Sequence, residues 1–160
     1  MLDPPDSHDP TPMQLTRFTD FGLRVLMYLA VAPRDVPATI PEIADRFAIS
    51  RNHLVKVVHF MAQQGWIVTT RGKGGGLRLA RPAAEINLGA VVRLLEPAHA
   101  LIDCADPPCA LRFGCRLKGV LDSALDAFYA TLDAVTLADL MQEPTGSAIV
   151  RLHGRSPQPA

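Results

Sequence analysis

Apolar residues recur at helical spacing through Phe18, Leu23, Val25, Leu26, Leu29 and Ala30, which predicts a helix over Phe18–Ala32 closed by Pro33. Thr16 or Thr19 is its expected N-cap, and Asp20 falls in or near the first turn, where a carboxylate suits the helix dipole. Thr39-Ile-Pro-Glu42 has capping-box spacing and opens a short helix, Ile40–Phe47, with Ile43, Ala44 and Phe47 facing inward. Ser50 is the expected cap of a second helix, Arg51–Gln64, which Gly65 ends in the left-handed conformation. Two helices joined by a tight turn, the second opening on polar and basic residues, form a helix-turn-helix.

Next, Trp66-Ile-Val-Thr-Thr70 is β-branched and aromatic, and Leu77-Arg-Leu-Ala80 alternates, so both read as strands. Between them Arg71-Gly-Lys-Gly-Gly-Gly76 makes a tight, basic hairpin tip. A nucleotide-cradling loop would need a helix after the glycines, and a strand follows instead. The hairpin therefore reads as a wing. Gly89–Glu96 forms another helix ended by Pro97, and residues 97–115 are irregular. Arg116–Val135 then carries one stripe of Leu117, Val120, Leu121, Ala124, Leu125, Phe128, Leu132 and Val135. So long an amphipathic helix on so small a domain is expected to pair with its equivalent in a second copy, with packing on its own domain as the alternative.

These elements predict a mainly α protein: a winged helix-turn-helix DNA-binding domain, a cysteine loop and a long C-terminal dimerisation helix. The expected divisions are a disordered extension over 1–12 and the winged domain over 13–96, with the helix-turn-helix at about 40–65 and the wing at 66–81. A cluster-binding loop over 97–116, a dimerisation helix and terminal turn over 117–141, and a flexible tail over 142–160 complete the scheme. Met1–Pro12 is rich in proline and acids without Lys or Arg, which fits neither a signal nor a transit peptide.

The 160 residues are 48% apolar and 20% charged with no net charge, so only the distribution of charge informs about partners. From Phe47 to Ala84 there is no Asp or Glu, while Arg51, Lys56, Arg71, Lys73, Arg78 and Arg81 all fall there. That is the footprint of a polyanion-binding face. Arg51, Asn52, His53 and Lys56 open the second helix and are expected in the major groove, Arg51 and Asn52 on base edges. Arg71 and Lys73 at the wing tip are expected on the backbone or in a narrow, A·T-rich minor groove. His59, two turns along, is expected to pack. No apolar run approaches the ~20 residues that cross a bilayer, and no catalytic constellation is visible, so an enzyme is not expected.

The three cysteines, Cys104, Cys109 and Cys115, share one loop. Their spacing differs from the paired knuckles of structural zinc sites and from the ferredoxin run, and a wider loop can wrap a bulky iron–sulfur cluster with one iron position open. Zinc with a fourth ligand, or three incidental cysteines, remain alternatives. An odd number of cysteines without a secretory signal points to a reducing cytoplasm.

Met13-Gln-Leu-Thr-Arg-Phe-Thr-Asp20, Ile49-Ser-Arg-Asn-His-Leu-Val-Lys-Val57, Arg71-Gly-Lys-Gly-Gly-Gly76 and the three-cysteine loop resemble the bacterial iron–sulfur winged-helix repressors, the family that includes the cluster-assembly regulator IscR. Leu95-Glu-Pro97, Cys115-Arg-Leu-Lys118 and Thr136-Leu-Ala-Asp-Leu140 extend the resemblance, which is strongest to the nitric-oxide-sensing NsrR type and covers about residues 13–141. It implies a homodimer with a two-iron or four-iron cluster on Cys104, Cys109 and Cys115, and a fourth, carboxylate ligand from the other subunit at Asp20. The histidine ligand of the cluster-assembly regulator falls at Lys118 here and is not available. His99, Asp103 and Asp106 lie close enough in sequence to compete for the open iron. The function implied is a cytoplasmic repressor of an inverted-repeat operator, relieved when nitric oxide nitrosylates or removes the cluster. A zinc-stabilised or thiol-redox-switched regulator, or an electron carrier, is the alternative.

Overall fold

In α1 (Arg17–Ala30) the Thr16 hydroxyl accepts the Thr19 N–H and caps the helix, with Asp20 in its first turn. The computed structural model describes residues 14–31, 36–97 and 100–154, so the N-terminal extension and the closing Pro33 lie outside it. α1 is the central element: Val25, Leu26 and Tyr28 are buried, and so is the polar Thr19. Its neighbours approach closely at Gly22. A Cβ there would sit 2.8 Å from Leu95 Cδ1 and 3.5 Å from Met61 Sδ, inside ordinary contact distance for the first.

α2 (Ile40–Phe47) opens with the expected box, Thr39 and Glu42 each satisfying the other's backbone. It stops where Ala48 turns left-handed (φ 52°), which reverses the chain into α3 (Arg51–Gln63). Leu54, Val57, Val58 and Met61 form the buried face of α3, and Phe60 meets Phe18 of α1 edge-on at 5.6 Å. Gly65 ends this unit at φ 71° as its sequence position predicts. Ser50 differs from expectation: it precedes α3 but its side chain makes no capping hydrogen bond.

β1 (Ile67–Thr70) and β2 (Gly76–Leu79) pair antiparallel, Ile67 opposite Leu79 and Thr70 opposite Gly76. Trp66 lies just outside the strand, yet its carbonyl still accepts the Ala80 N–H at 2.9 Å. Leu77 donates to the Ala38 carbonyl at 2.7 Å, tying the root of the hairpin to the chain that enters α2.

α4 (Leu88–Leu95), capped by Asn87, packs on α5 (Arg116–Asp133) through a two-pronged ion pair. Arg93 reaches Asp133 with both terminal nitrogens, at 2.5 and 2.7 Å, and its guanidinium lies 4.4 Å from the Tyr129 ring. Hydrogen bonding from Arg93 holds the Asp133 carboxyl below its ordinary range. A depressed carboxylate stabilises above its unfolded pKa, so this contribution fades only as acid protonates Asp133. Tyr129 is the buried residue of α5, whereas Leu117 and Val120 are 62% and 66% exposed. The predicted apolar stripe is thus real, and among the described residues its outer part has no cover.

α6 (Leu137–Leu140) has its own capping box, Thr136 with Asp139. The region expected to be a flexible tail then contains a further helix, α7 (Thr145–Gly154). Ile149 is buried, and the His153 ring meets Tyr28 of α1 edge-on at 4.1 Å with Nε2 3.1 Å from the Tyr28 carbonyl. Only a tertiary partner makes so short a segment worth ordering. Ile149→Ala is therefore expected to cost about 2–5 kcal/mol in urea unfolding; a loss near zero would mean that α7 does not pack.

Candidate nucleic-acid interface and cysteine loop

Because Leu54, Val57, Val58 and Met61 point inward, the opposite face of α3 is fixed by helical geometry. Arg51, Asn52, Val55, Lys56 and His59 are all exposed there. Arg51 makes one contact with Asp45, Nη2 to Oδ1 at 3.3 Å, between side chains 62% and 47% exposed. A pair that solvated is worth little and is readily exchanged for DNA. His53 is exposed while its ring tilts against Phe21 of α1 at 6.2 Å, so it links the reading helix to the domain's centre. His59, expected to pack, is exposed on the same face as Arg51 and Lys56; counting eight residues from Arg51 would have put it there. Val55 is half exposed there too, and a methyl-bearing residue on such a face suits thymine. The uncapped, exposed Ser50 hydroxyl is available to a phosphate.

The wing tip depends on glycine. Gly72 and Gly74 are left-handed at φ 93° and 79°, and a Cβ on Gly75 would collide with the Thr70 carbonyl. The bend closes with the Gly75 N–H on the Gly72 carbonyl at 3.0 Å, and Arg71 and Lys73 stand exposed at its end. Arg78 and Arg81 are exposed nearer its base. The acid-free stretch of sequence thus becomes two exposed basic elements joined by the short link of Gly65 and Trp66.

Between α4 and α5 the chain forms successive turns. Asp103 accepts the N–H groups of Ala105 and Asp106 at 2.7 and 3.4 Å, so its carboxylate already shapes the loop. Asp106 is exposed, and His99 lies outside the described residues. Cys109 donates its N–H to the Cys104 carbonyl at 3.1 Å. All three cysteines are free and half-buried, and Cys115 sits at the N-cap of α5 without spending its sulfur on a capping bond. Lys118, one turn on, is paired with Asp122 at 2.5 Å. That hydrogen bond raises its pKa, and Cys104 and Cys115 contribute in the same direction, so both sulfurs lie near a fixed cation. A cavity of about 360 Å³ opens here, lined by Ile102, Cys104, Arg112, Phe113 and Lys118.

Asp20 is elsewhere. Its carboxylate takes the Arg24 Nε at 2.8 Å and faces a different hollow, shared with Leu15, Phe21, Phe47 and Ile49. Among the described residues no group of three or more His, Cys, Asp or Glu side chains converges as a metal site. The donor types fit a thiophilic group, since no thiol is lost to a disulfide or a cap, but one chain by itself does not close a site around it.

A two-helix reading head followed by a glycine-tipped basic wing defines a winged-helix DNA-binding transcriptional regulator. Residues 15–143 match the Rrf2 family, iron-dependent transcriptional regulators, and the chain belongs to it. Members of this family bind DNA, are typically dimeric, and are not enzymes. The chain is similar to Staphylococcus aureus CymR in its oxidized form, at 28% identity and a TM-score of 0.66 over 81% of this chain and 97% of that one. Its fold is also that of T. potens IscR, at 23% identity and 0.67 over 82% and 88%, and of CymR (YrzC), the global cysteine regulator of B. subtilis, at 24% and 0.62 over 80% and 95%. No helix among the described residues is long and apolar enough to cross a membrane.

Arg51→Ala should cost about 1–3 kcal/mol on the cognate operator and much less on random DNA, as a base contact does. Lys73→Ala should weaken both DNAs more evenly and lower the salt slope by about one unit. Equal losses on both DNAs for Arg51, in titrations at several salt concentrations, would make it a backbone anchor instead.

Proposed function

We propose that this protein is a homodimeric transcriptional repressor that senses nitric oxide through an iron–sulfur cluster. The observation that carries the reading is the gathering of three free cysteines in the one loop that joins the winged domain to an uncovered helix, α5. Cys104, Cys109 and Cys115 would hold the cluster, and the partner's Asp20 would supply its fourth ligand. Support for ligation across the dimer comes from the separate hollow that Asp20 faces in its own chain and from the exposed stripe of α5 as the dimer seam. When bound, such a cluster supplies iron that takes up nitric oxide.

The chain's own residues define the switch. A carboxylate is a hard, weakly held partner among thiolates, and Asp20 has an alternative partner in Arg24, the pairing at 2.8 Å. Its release would change what α1 is attached to, and α1 supports the reading helix through Phe18–Phe60 and Phe21–His53. The two recognition helices of a dimer would then lose the spacing that an inverted-repeat operator, A·T-rich under the wing, requires. Such a protein works in the cytoplasm. Likeness to an oxidized CymR favours a second reading, a thiol switch on the same cysteines without iron. A zinc-stabilised regulator would share the DNA chemistry and lack colour.

Anaerobic purification with iron and sulfide counts, then titration with nitric oxide, separates these. The proposal expects a coloured protein whose operator affinity nitric oxide lowers, with Cys109→Ala losing both cluster and specific binding while non-specific binding persists. A colourless protein that responds to peroxide and is restored by a dithiol would establish the thiol switch instead. Mixed dimers test the geometry: one subunit Asp20→Ala and the other Cys109→Ala should retain one whole site if ligation crosses the dimer, and none if it does not.

A further inference from the structure

We infer that Glu96 is the positioning residue that couples the cysteine loop to the DNA-binding domain, by completing the N-terminal cap of α1 from the mouth of that loop. Glu96 closes α4 and is followed by Pro97 and the loop. Its Oε1 accepts the Thr16 N–H at 2.7 Å and the Thr16 hydroxyl at 3.1 Å, across 80 residues of sequence. Thr16 is the N-cap of α1, and its carbonyl takes the Asp20 N–H at 3.0 Å.

Comparison with the other caps shows why this carboxylate matters. A capping box needs an acidic side chain three residues past the cap to reach back to the cap's own N–H. α2 finds it in Glu42 and α6 in Asp139, both local. In α1 that position is Thr19, which is fully buried, has no carboxylate, and bonds the Thr16 hydroxyl instead at 3.1 Å. The missing half of the box is supplied by Glu96, so the Thr16 N–H is satisfied, and the cap held in place, only when the exit of α4 stands against it. The negative charge also lies at the positive end of a 14-residue helix dipole. Any rearrangement that draws on the loop pulls first on this joint, and the joint holds the turn that carries Asp20. From there the contacts are continuous: Gly22 lies against Leu95 and Met61, and Phe18 and Phe21 bear on α3.

The inference deepens the sensor reading by naming its transmission residue, but the clamp itself requires no iron. The test uses the full chain as wild type, Glu96→Ala and Glu96→Gln, with amide hydrogen exchange at the first turn of α1 before and after N-ethylmaleimide alkylates the loop cysteines. Glu96→Ala should exchange about tenfold faster there, while Glu96→Gln, whose amide oxygen still accepts from Thr16, stays within about threefold of wild type. Alkylation should shift first-turn exchange in wild type and the Gln variant and leave the Ala variant unmoved. With iron and sulfide loaded, Glu96→Ala should keep its iron but bring the ratio of operator affinities, cluster-loaded over stripped, close to one. Equal first-turn exchange in wild type and Glu96→Ala overturns the inference, as does loss of iron from the Ala variant with unchanged exchange, which would make Glu96 a ligand. If wild type takes up no iron, the cluster reading fails and the exchange comparison still decides the clamp. Should Glu96→Ala fail to fold, Glu96→Asp, one methylene short of Thr16, gives the same comparison with the charge kept.

Discussion

Everything in this fold depends on how closely α1 can be approached. Gly22 presents bare backbone where Leu95 of α4 and Met61 of α3 converge, and a Cβ there would make the end of the Leu95 side chain shift. With both neighbours drawn in, the buried faces of three helices share one core, and the wing root is sewn to it through Leu77 and Ala38. Interiors packed at that density transmit displacement instead of absorbing it.

The electrostatics are arranged by subtraction. A chain of zero net charge obtains a basic face by keeping acids out of Phe47–Ala84 and by leaving Arg51 only a solvated contact with Asp45. Elsewhere opposite charges are matched closely, as in Arg93 with Asp133 over Tyr129 and Lys118 with Asp122. Bidentate or helix-spaced pairs fix packing, whereas exposed, weakly paired cations remain available to phosphates and bases. The same residue types thus divide into paired, structural cations and exposed, weakly paired ones according to the partners the fold gives them.

At the other end the isolated chain is unfinished. α5 leaves Leu117 and Val120 largely open, the cysteine loop exposes Leu111 and Phe113, and the Cys104 thiol lies beside an open cavity. A typically dimeric family accounts for the first of these directly, since a uniform apolar stripe along a helix is self-complementary about a two-fold axis.

By itself the amino-acid order determined whatever depends on neighbours a few residues apart: the box at Thr39 and Glu42, the left-handed stop at Gly65, the glycine tip of the wing, the stripe of α5 and the acid-free basic stretch, whose cations stand exposed. Those signals are legible because helical periodicity, caps and turn residues act locally. Tertiary structure decided the rest. Ser50 had the right type for a cap and makes no capping bond; His59 faces out with Arg51 because the buried set of Leu54, Val57, Val58 and Met61 fixes the helix's rotation. The segment after Pro144 has weak local signals and becomes a helix because Ile149 joins the core and His153 meets Tyr28 of α1. Glu96 and Thr16 meet across 80 residues, and Asp20 and Cys104 stand on separate hollows, by contacts that no spacing rule encodes. Local preference is worth tenths of a kcal/mol per residue, roughly, while burial of one apolar side chain is worth about 1.5–3 kcal/mol, so where the two differ packing decides.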